Sequence, residues 1–326
     1  MKTLVTGATG FVGAAVARRL AAAGFSLRLL VRAKANGANL AGLKAEIATG
    51  DLRDAASLER AVDGCEYVFH VAADYRLWAP DPDDMYRTNV AGTAALMRAA
   101  LKSGVRRVVY TSSVACVGLP GPGGASDETA ALREKDLVGP YKHSKYLAEK
   151  TVLDLVREEG LPAVVVNPST PMGPGDVKPT PTGRIVRDFL RGRMPAYVDT
   201  GLNVVHVDDV AAGHLLALTK GTVGERYILG GENMSLKELL GHLAAITNGR
   251  APAVRLPHRL LYPLAVACEA WSHLTGTEPM VCRDALRMST KQMFFTSDKA
   301  QRELGYAPRP AVEALADAVS WFSSRP

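Results

Sequence analysis

The first half of the chain alternates short apolar, β-branched stretches with longer segments whose apolar residues recur at helical spacing. Each apolar stretch predicts a strand, and each longer segment predicts a helix. Parallel strands need a crossover connection, so this alternation is typical of an α/β fold with a doubly wound parallel sheet. The predicted strands cover residues 1–6, 26–31, 43–49, 67–71, 107–111 and 163–167.

A glycine-rich turn joins the first predicted strand to an alanine-rich helix. Gly7, Gly10 and Gly13 recur at a spacing of three residues. Gly7 permits a tight turn, Gly10 lets backbone approach a pyrophosphate, and Gly13 lets the helix pack closely on the sheet. The free N–H groups of the helix start suit a phosphate. The turn therefore predicts a Rossmann-type dinucleotide site, with Thr9, Phe11 and Val12 as further contacts.

Arg32 ends the second predicted strand, about twenty residues beyond the glycines, where this fold places its ribose-reading residue. An acidic residue there accepts a hydrogen bond from the 2′-hydroxyl of NAD, whereas arginine offers a charged fork that matches a 2′-phosphate. The sequence therefore favours NADP, with NAD as the alternative. Lys34 is a second candidate for holding the phosphate.

After residue 167 the alternation gives way to Pro- and Gly-rich loops with shorter helices, and a predicted strand returns at Val204–Val207. We expect this irregular tail to form a small lobe and not to extend the sheet. The predicted organisation is an NAD(P)-binding domain over residues 1–167, with a returning segment near 203–220. Residues 168–326 are predicted to form mainly a substrate-binding lobe.

Tyr141 and Lys145 lie four residues apart at the start of a strongly helical segment, so both side chains project from one helix face. A phenol titrates near pH ~10, and a neighbouring cation helps it to accept a proton at neutral pH. The pair is interpreted as a catalytic tyrosine with its charged partner. On spacing alone, a solvated helix face stays an open alternative.

Composition indicates an ordinary globular protein with a large core: 326 residues, 47% hydrophobic and 22% charged. The net charge of +6 is modest and its basic residues are scattered, so nucleic-acid binding is not inferred. The cysteines form no CxxC pair and have no histidine at ligand spacing, so free buried thiols and no metal site are predicted. They are Cys65, Cys116, Cys268 and Cys282.

The glycine turn occupies the place where a signal peptide would need an uninterrupted apolar stretch, so no signal peptide is expected. Together with the free thiols, this predicts a reducing, cytoplasmic location. Leu256–Leu274 is the most hydrophobic late segment. Pro257, Arg259, Pro263 and Glu269 interrupt it before the ~18 apolar residues that a spanning helix requires. The segment predicts a buried or surface-seeking helix, and peripheral membrane contact is left open.

Further motifs occur in a fixed order along the chain. They are Asp51-Leu52 after the third strand, Val71-Ala72-Ala73 after the fourth, Asn89 in Asn89-Val90-Ala91-Gly92-Thr93, Thr111-Ser112-Ser113, Asn167-Pro168-Ser169 and Val205 to Val210. With the glycine turn and the Tyr141/Lys145 pair, they make the whole chain resemble the extended short-chain dehydrogenase/reductases, the NAD-dependent epimerase/dehydratase family. Arg32, the Thr-Ser-Ser strand, the Asn-Pro-Ser segment and the late hydrophobic helix make it similar, more narrowly, to dihydroflavonol-reductase-like proteins and hopanoid-associated sugar epimerases.

The resemblance implies a catalytic set. Ser113, which the spacing to Gly118 selects over Ser112, would hydrogen-bond the reacting oxygen. Tyr141 would give or take its proton, and Lys145 would lower the phenol pKa and hold the nicotinamide ribose. The other cofactor contacts that it implies are Asp51, Leu52, Val71, Ala72, Ala73, Asn89, Thr111, Ser112, Pro168, Ser169 and Thr170, besides Tyr141 and Lys145.

Substrate contacts are predicted outside this set. Tyr75 and Trp78 follow the cofactor strand and could face a small-molecule ligand, while Arg184, Arg187 and Arg287 could bind a diphosphate. Surface arginines are the alternative for each. The helices from Asn89 and from Tyr141 resemble the pair through which the family dimerises, so a homodimer is expected.

Histidines and aspartates elsewhere are given structural roles. His206, Asp208 and Asp209 could be interpreted as a metal or acid/base cluster, but an aspartate at a strand-to-helix junction is more simply a helix N-cap. His70 is interpreted as a strand residue and His143 as an exposed helix residue.

Two enzymatic functions share the predicted residues. An NADP(H)-dependent oxidoreductase would transfer hydride to or from a carbonyl or hydroxyl carbon and exchange its cofactor. A sugar or sugar-nucleotide epimerase or dehydratase would retain the cofactor, but such enzymes usually carry tyrosine at Val117 and an acid at Arg32. A third alternative, an NADPH-binding redox sensor, does not need the complete Ser113, Tyr141 and Lys145 set. The sequence therefore favours the oxidoreductase.

Overall fold

The computed structural model describes residues 1–76, 78, 81–121, 123–133, 136–277 and 279–325. Strands and helices alternate through its first half. The strands are β1 (Lys2–Thr6), β2 (Ser26–Val31), β3 (Ala45–Thr49), β4 (Tyr67–His70), β5 (Arg107–Thr111), β6 (Ala163–Pro168), β7 (Thr170–Met172), β8 (Ala196–Tyr197), β9 (Gly201–His206), β10 (Arg226–Leu229), β11 (Glu232–Ser235) and β12 (Val254–Arg255).

Helices lie between the strands of the first half, as predicted, and continue through the second half. They are α1 (Phe11–Ala22), α2 (Ala55–Val62), α3 (Pro82–Tyr86), α4 (Gly92–Lys102), α5 (Gly139–Glu159), α6 (Pro181–Leu190), α7 (Val207–Lys220), α8 (Leu236–Thr247), α9 (His258–Thr275), α10 (Arg283–Ser289), α11 (Asp298–Leu304) and α12 (Ala311–Ser323). A π-helical turn over Arg87–Ala91 joins α3 to α4, and 3-10 turns cover Ala38–Leu40 and Val114–Cys116.

The central sheet of the described chain has seven strands in the order β3-β2-β1-β4-β5-β6-β10, all paired in parallel. This confirms the predicted doubly wound α/β fold. Successive residues of each strand enter different cores, because side chains alternate between the two faces of a sheet. Val5 and Val109 pack with α1 and α7 on one face, whereas Leu4 and Val108 pack with α2, α4 and α5 on the other.

The expectation that the irregular tail would not extend the sheet is wrong. Strand β10 lies in that tail, yet Arg226–Leu229 pairs in parallel with β6 and forms one edge of the central sheet. The strand predicted at Val204–Val207 is β9, and it belongs to a separate three-stranded sheet with β7 and β11. Helix α7 packs against α1, and several of its buried residues join the core on that face of the central sheet. The division of the chain into two lobes at residue 167 stays a prediction.

The cap predicted for α7 is also corrected. The N-cap is His206 itself, whose Nδ1 accepts a hydrogen bond from the backbone N–H of Asp208 at 3.0 Å. Asp208 and Asp209 lie in the first turn, where their charges favour the positive end of the helix dipole. Asp209 accepts hydrogen bonds from Arg309, so it ties α7 to the later chain.

The late hydrophobic segment forms helix α9, which packs on α10. Ala265, Glu269 and Ser272 are buried, and Glu269 accepts hydrogen bonds from the backbone and side chain of Arg283. Within the described residues, no helix has both the length and the apolar character needed to cross a bilayer.

Candidate active site

The glycine turn is closed by backbone contacts that leave no room for side chains. Gly7 has a φ of +76°, a conformation that favours glycine. A Cβ atom on Gly13 would lie 2.2 Å from the carbonyl oxygen of Gly7, and one on Gly7 would lie 2.7 Å from the backbone nitrogen of Ala72. Helix α1 begins directly afterwards with Gly10 as its N-cap. Glycine has no side chain to occupy the first N–H groups, which therefore suit a phosphate.

Asn39, which sequence reasoning missed, holds this turn in place. Its Nδ2 donates to the carbonyl oxygens of Thr9 at 3.2 Å and of Gly175 at 3.1 Å. Asn39 is buried, and its partners are 30 and 136 residues distant in sequence. The side chain thus fixes the glycine turn against the segment that follows β7.

Positive charge collects where β2 and β3 end. Arg32 and Lys34 are exposed, and Arg53 forms an ion pair with Asp51 at 3.1 Å. The hydrogen bonds from Arg53 hold the pKa of Asp51 below its ordinary value, and the charge of Arg32 acts in the same direction. Arg32 therefore lies within electrostatic reach of Asp51. This edge of the sheet can attract an anionic group.

Ser113 and Tyr141 are brought together from different elements. Ser113 follows β5 and caps the 3-10 turn at Val114–Cys116, with its Oγ accepting from the N–H of Ala115 at 3.1 Å. Tyr141 lies in the first turn of α5. Burial raises the pKa of Tyr141 to about 12, while a hydrogen bond with the Ser113 side chain acts in the opposite direction. The phenol is therefore protonated at neutral pH.

Lys145 lies one helical turn further along α5 and is almost completely buried, with 3% of its surface exposed. Its Nζ donates to the carbonyl oxygen of Thr111 at 2.8 Å and to the hydroxyl of Tyr110 at 3.1 Å. Burial lowers the pKa of Lys145 to about 8. The solvated-face alternative is therefore wrong for Lys145, since its ammonium group points into the protein. Its influence on the Tyr141 phenol stays a prediction.

A buried hydrogen-bond chain extends from Lys145 to the glycine turn. Tyr110 hydrogen-bonds Thr93, Thr93 Oγ1 lies 2.8 Å from His70 Nε2, and His70 Nδ1 lies 2.8 Å from Thr6 Oγ1. Burial lowers the pKa of His70 to about 3, so its ring is neutral and donates through one nitrogen while accepting through the other. His70 is a strand residue as predicted, and it also links the start of the glycine turn to Lys145.

The backbone of Ser113 is held by a second buried network. Asn167 Nδ2 donates to the carbonyl oxygen of Ser113 at 2.9 Å and to Glu149 Oε2 at 2.7 Å. Arg226 of β10 pairs with Glu149 at 3.1 Å. The edge strand of the sheet therefore supports the catalytic candidate Ser113 through two side chains.

Asn89 has its polar atoms engaged by the protein. Its Oδ1 accepts from the N–H of Asp74 at 2.7 Å, and its Nδ2 donates to the carbonyl of Asp74 at 2.8 Å and to Ser144 Oγ at 3.0 Å. Asn89 thus joins the loop after β4 to helix α5 from within the π-helical turn. Its predicted role as a cofactor contact stays a prediction.

The other predicted cofactor residues lie at the carboxyl ends of the central strands or in the turn that starts α1. This is where ligands bind in open α/β sheets. Phe11 and Val12 start α1, Leu52 follows β3, Val71, Ala72 and Ala73 follow β4, Thr111 ends β5 and Ser112 follows it, Pro168 ends β6, Ser169 follows it, and Thr170 starts β7.

An NAD(P) group would fit these residues. The buried Oγ atom of Ser169 has no hydrogen-bond partner among the described residues, so it can bond to a ligand. The start of α1, which has no side-chain cap, offers N–H groups at another point along the carboxyl edge of the central sheet. A ligand bound along this edge could hydrogen-bond both the Ser169 hydroxyl and the N–H groups of α1. A dinucleotide, with its phosphates and sugar hydroxyls, has the polar groups to do so.

The predicted substrate residues divide between elements. Tyr75 and Trp78 lie in the loop after β4, Arg184 and Arg187 lie on α6, and Arg287 lies on α10. The charges of Arg184 and Arg187 both act on buried Asp176, whereas Arg287 lies 3.7 Å from Asp284. Each of the three arginines therefore acts on a carboxylate of the protein, and their role as diphosphate contacts stays a prediction.

A cavity of about 300 Å³ lies beside the start of α5, lined by Tyr86, Leu137, Gly139 and His143. His143 is half-buried and its Nδ1 lies 2.9 Å from the Tyr86 hydroxyl, so its prediction as an exposed residue is wrong. Asp284 of α10 borders this region, because a Cβ atom on Gly139 would lie 2.6 Å from its carboxylate oxygen.

The sequence of the chain is similar to those of known proteins over most of its length. A model of the NAD-dependent epimerase/dehydratase family matches residues 3–230. The chain belongs to that family. Its relatives include a Synechocystis protein whose assignment as a dihydroflavonol 4-reductase is provisional, 47% identical over 98% of this chain and 94% of the relative. Sterol demethylase protein B of Methylococcus capsulatus is 38% identical over 100% of this chain and 99% of its own.

Solved structures of the family share the fold. The crystal structure of gox2253 is 56% identical, with a TM-score of 0.88 over 99% of this chain and 98% of that one. The dTDP-glucose 4,6-dehydratase DesIV of Streptomyces venezuelae, solved with NAD, is 25% identical with a TM-score of 0.82 over 100% and 98%. Family membership makes the chain one of an enzymatic, NAD(P)-dependent group that includes reductases, epimerases and dehydratases.

Proposed function

We propose that this protein is an NADP(H)-dependent oxidoreductase that interconverts a carbonyl and an alcohol on a small molecule. The observation that carries the proposal is the pairing of the Tyr141 hydroxyl with Ser113 at the carboxyl edge of the sheet. A protonated phenol beside a hydroxyl donor can hold a carbonyl oxygen and then protonate it.

NADP(H) would be held by the glycine turn, Ser169 and the positive edge at Arg32, and when bound it supplies or accepts a hydride. Arg32 would pair with a 2′-phosphate. Lys34, which is also exposed, adds positive charge there, whereas Arg53 is already paired with Asp51 and Asp84. Lys145 would hold the ribose, since an ammonium group has three donors and Tyr110 and Thr111 accept from it at 3.1 and 2.8 Å.

Tyr141 acts as the general acid in reduction. Its pKa of about 12 keeps the proton in place at neutral pH until negative charge develops on the substrate oxygen. Ser113 donates a hydrogen bond to the same oxygen, and the network from Asn167 and Glu149 keeps its backbone in position. The positive charge of Lys145 stabilises the resulting phenolate below pH 8.

The substrate is proposed to be apolar and cyclic. The names of two full-length relatives refer to a dihydroflavonol and to a sterol, both ring compounds with oxygen substituents. The three arginines predicted for a diphosphate are divided between α6 and α10 and carry carboxylate partners, which argues against a nucleotide-linked sugar.

The decisive experiment is the Tyr141→Phe variant assayed with NADPH and a panel of aromatic and polycyclic ketones. Turnover is expected to fall ~10²–10⁴-fold because the proton donor is lost, while NADPH affinity is retained. Tyr146→Phe, on the same helix and half-buried, is the matched control. Undiminished turnover by Tyr141→Phe would refute the assigned role.

A cofactor-retaining epimerase or dehydratase is the second candidate, favoured by the likeness to the NAD-bound dehydratase DesIV. Mass spectrometry of nucleotide released from denatured, freshly purified protein separates the two. Tightly retained nucleotide at one per chain supports the epimerase. Empty protein that binds NADPH reversibly supports the oxidoreductase.

We also propose a homodimer formed through α4 and α5. The support is the likeness of this helix pair to the family's dimer-forming helices, and light scattering during size-exclusion chromatography tests it. A monomer at assay concentration would contradict the proposal.

A further inference from the structure

Helix α9 exposes an apolar surface that the proposed catalysis does not use. Leu260 is 68% exposed, Trp271 66% and Leu274 83%. Apart from Arg259 in the first turn and Thr275 at the end, every exposed described side chain of the helix is apolar. These side chains are Leu260, Tyr262, Pro263, Leu264, Val266, Ala267, Ala270, Trp271 and Leu274; they are called the α9 face below.

The α9 face is unusually wide. At about 100° per residue, its members cover about 200° of the helix circumference, and residues 260–274 extend over about 22 Å. Among the described side chains of the helix, the buried ones form the stripe of Ala265, Glu269 and Ser272. A second helix docking on α9 would cover a narrower seam, as in a coiled coil, and would leave large side chains in water. An environment that surrounds the whole outer half of the helix covers all of them.

Charge at the α9 face favours an anionic environment. Arg259 lies within the exposed arc, and residues 250–291 contain six arginines and lysines against three acidic residues. Arg255, Arg283 and Arg287 are paired with Asp199, Glu269 and Asp284, so the excess positive charge of this segment comes from Arg250, Arg259 and Lys291. Exposed Tyr262 and Trp271 are the aromatic residues that favour the interface between lipid headgroups and acyl chains.

We propose that the α9 face docks on an anionic lipid bilayer, with the helix lying in the interface and its outer half among the acyl chains. The inward stripe stays on the protein, so the helix needs no polar outer face of its own. Arginine at its first turn would reach the headgroups. A bilayer is chosen over a second copy of the chain because it covers the whole exposed arc.

Docking there would place the membrane near the site. Helix α9 packs on α10, and Asp284 of α10 borders Gly139, the first residue of the helix that carries Tyr141. An apolar ring substrate dissolved in the bilayer would therefore enter beside the catalytic tyrosine, a consequence that rests on the proposed function. The docking itself does not depend on turnover.

Flotation of the full-length protein with vesicles tests the proposal. Wild type is expected to float with phosphatidylcholine vesicles containing phosphatidylglycerol, and less with phosphatidylcholine alone. Leu260→Gln/Trp271→Gln/Leu274→Gln is expected to lower the bound fraction about tenfold or more, because apolar burial is lost. The matched control replaces exposed apolar residues elsewhere: Ile47→Gln/Val223→Gln/Val312→Gln.

Three outcomes would overturn the docking. Wild type that stays unbound with both vesicle types is one, and equal flotation of the triple variant is another. In the third, neither protein floats, and light scattering shows a dimer for the wild type but not for the triple variant. That result would assign the α9 face to contact with a second copy of the chain.

A second readout covers the case in which the triple variant fails to fold. In the Trp78→Phe/Trp321→Phe protein, Trp271 is the remaining tryptophan, and its emission should shift to shorter wavelength with anionic vesicles. Unchanged emission would also overturn the docking. Since neither measurement involves turnover, failure here is distinguishable from failure of the proposed reaction.

Discussion

Lys145 illustrates how a buried charge can cost stability. A lysine pKa lowered from 10.5 to about 8 means that the folded protein binds the proton less well than the unfolded chain. Below pH 8 both states hold the proton, so the full cost of about 3 kcal/mol applies. Between pH 8 and 10.5 the unfolded chain holds more protons, and the folded protein gains relative stability as the pH rises.

Lys145→Met is therefore expected to stabilise the protein at pH 7 by about 1 kcal/mol, because relief of the buried charge exceeds the loss of two hydrogen bonds at about 1 kcal/mol each. The difference in unfolding free energy between the variant and the wild type should change sign between pH 8 and 10.5, because Lys145 of the folded wild type loses its proton over this range. Urea unfolding across this range measures it, with exposed Lys237→Met as the control. A pH-independent difference would contradict the buried charge.

Single residues were predictable where a short motif defines their chemistry. The glycines of the turn could be recognised from their spacing between a strand and a helix, whereas Tyr141 and Lys145 stood out only together with the other motifs of the chain. Asn39, Thr93 and the hydrogen bonds of His70 could not, because each acts through partners far along the chain, such as Thr6 at 64 residues from His70. No local pattern encodes such a pairing.

At the level of elements, strand β10 depends on buried charge. Arg226 and Glu149 form an ion pair in which the carboxylate side chain is only 4% exposed. The carboxyl oxygen of Glu128 also accepts from the N–H of Ile228 at 2.7 Å, so a loop carboxylate replaces a neighbouring strand at this edge.

Arg226→Met should destabilise the protein by about 3–5 kcal/mol, because it leaves the Glu149 carboxylate buried without its cation. The double variant Arg226→Met/Glu149→Met should recover much of that loss, since neither charge then remains. The free energies of unfolding in denaturant measure both. If the two variants lose equal stability, the ion pair does not explain how β10 is held.

The first six strands were predictable because each joins a regular alternation of strand and helix. Strand β10 was not, since its four residues follow an irregular segment and pair with a strand about sixty residues earlier. The cap of α7 was misassigned for a related reason: His206 and the aspartates lie side by side, and only backbone geometry decides which side chain caps the helix.

At the scale of the whole molecule, cofactor binding should appear as a gain in stability. At a concentration of 100 times its dissociation constant, NADPH should stabilise the folded protein by about 2.7 kcal/mol. Arg32→Ser should weaken NADPH binding by about 10–100-fold, because a charge-assisted contact to phosphate is lost. NADH binding should change little.

Thermal unfolding with each nucleotide measures these differences, and Arg19→Ser, an exposed arginine on α1, is the control. If Arg32→Ser weakens the binding of NADPH and NADH equally, Arg32 does not bind the 2′-phosphate. The fold class could be predicted at this scale, whereas the assembly of the second half could not, because its sheet and helices lack a regular repeat.

The position of β10 also shapes how the protein is made. Strand β6 is synthesised well before β10, so a nascent chain carries an unpaired parallel edge until Arg226–Leu229 emerges from the ribosome. Leu304 and Tyr306 belong to the same core as Val5, so that core closes only once both have been synthesised. Exposed strand edges and open cores favour aggregation. We therefore expect yield in the cell to depend on chaperones that shield this edge during synthesis.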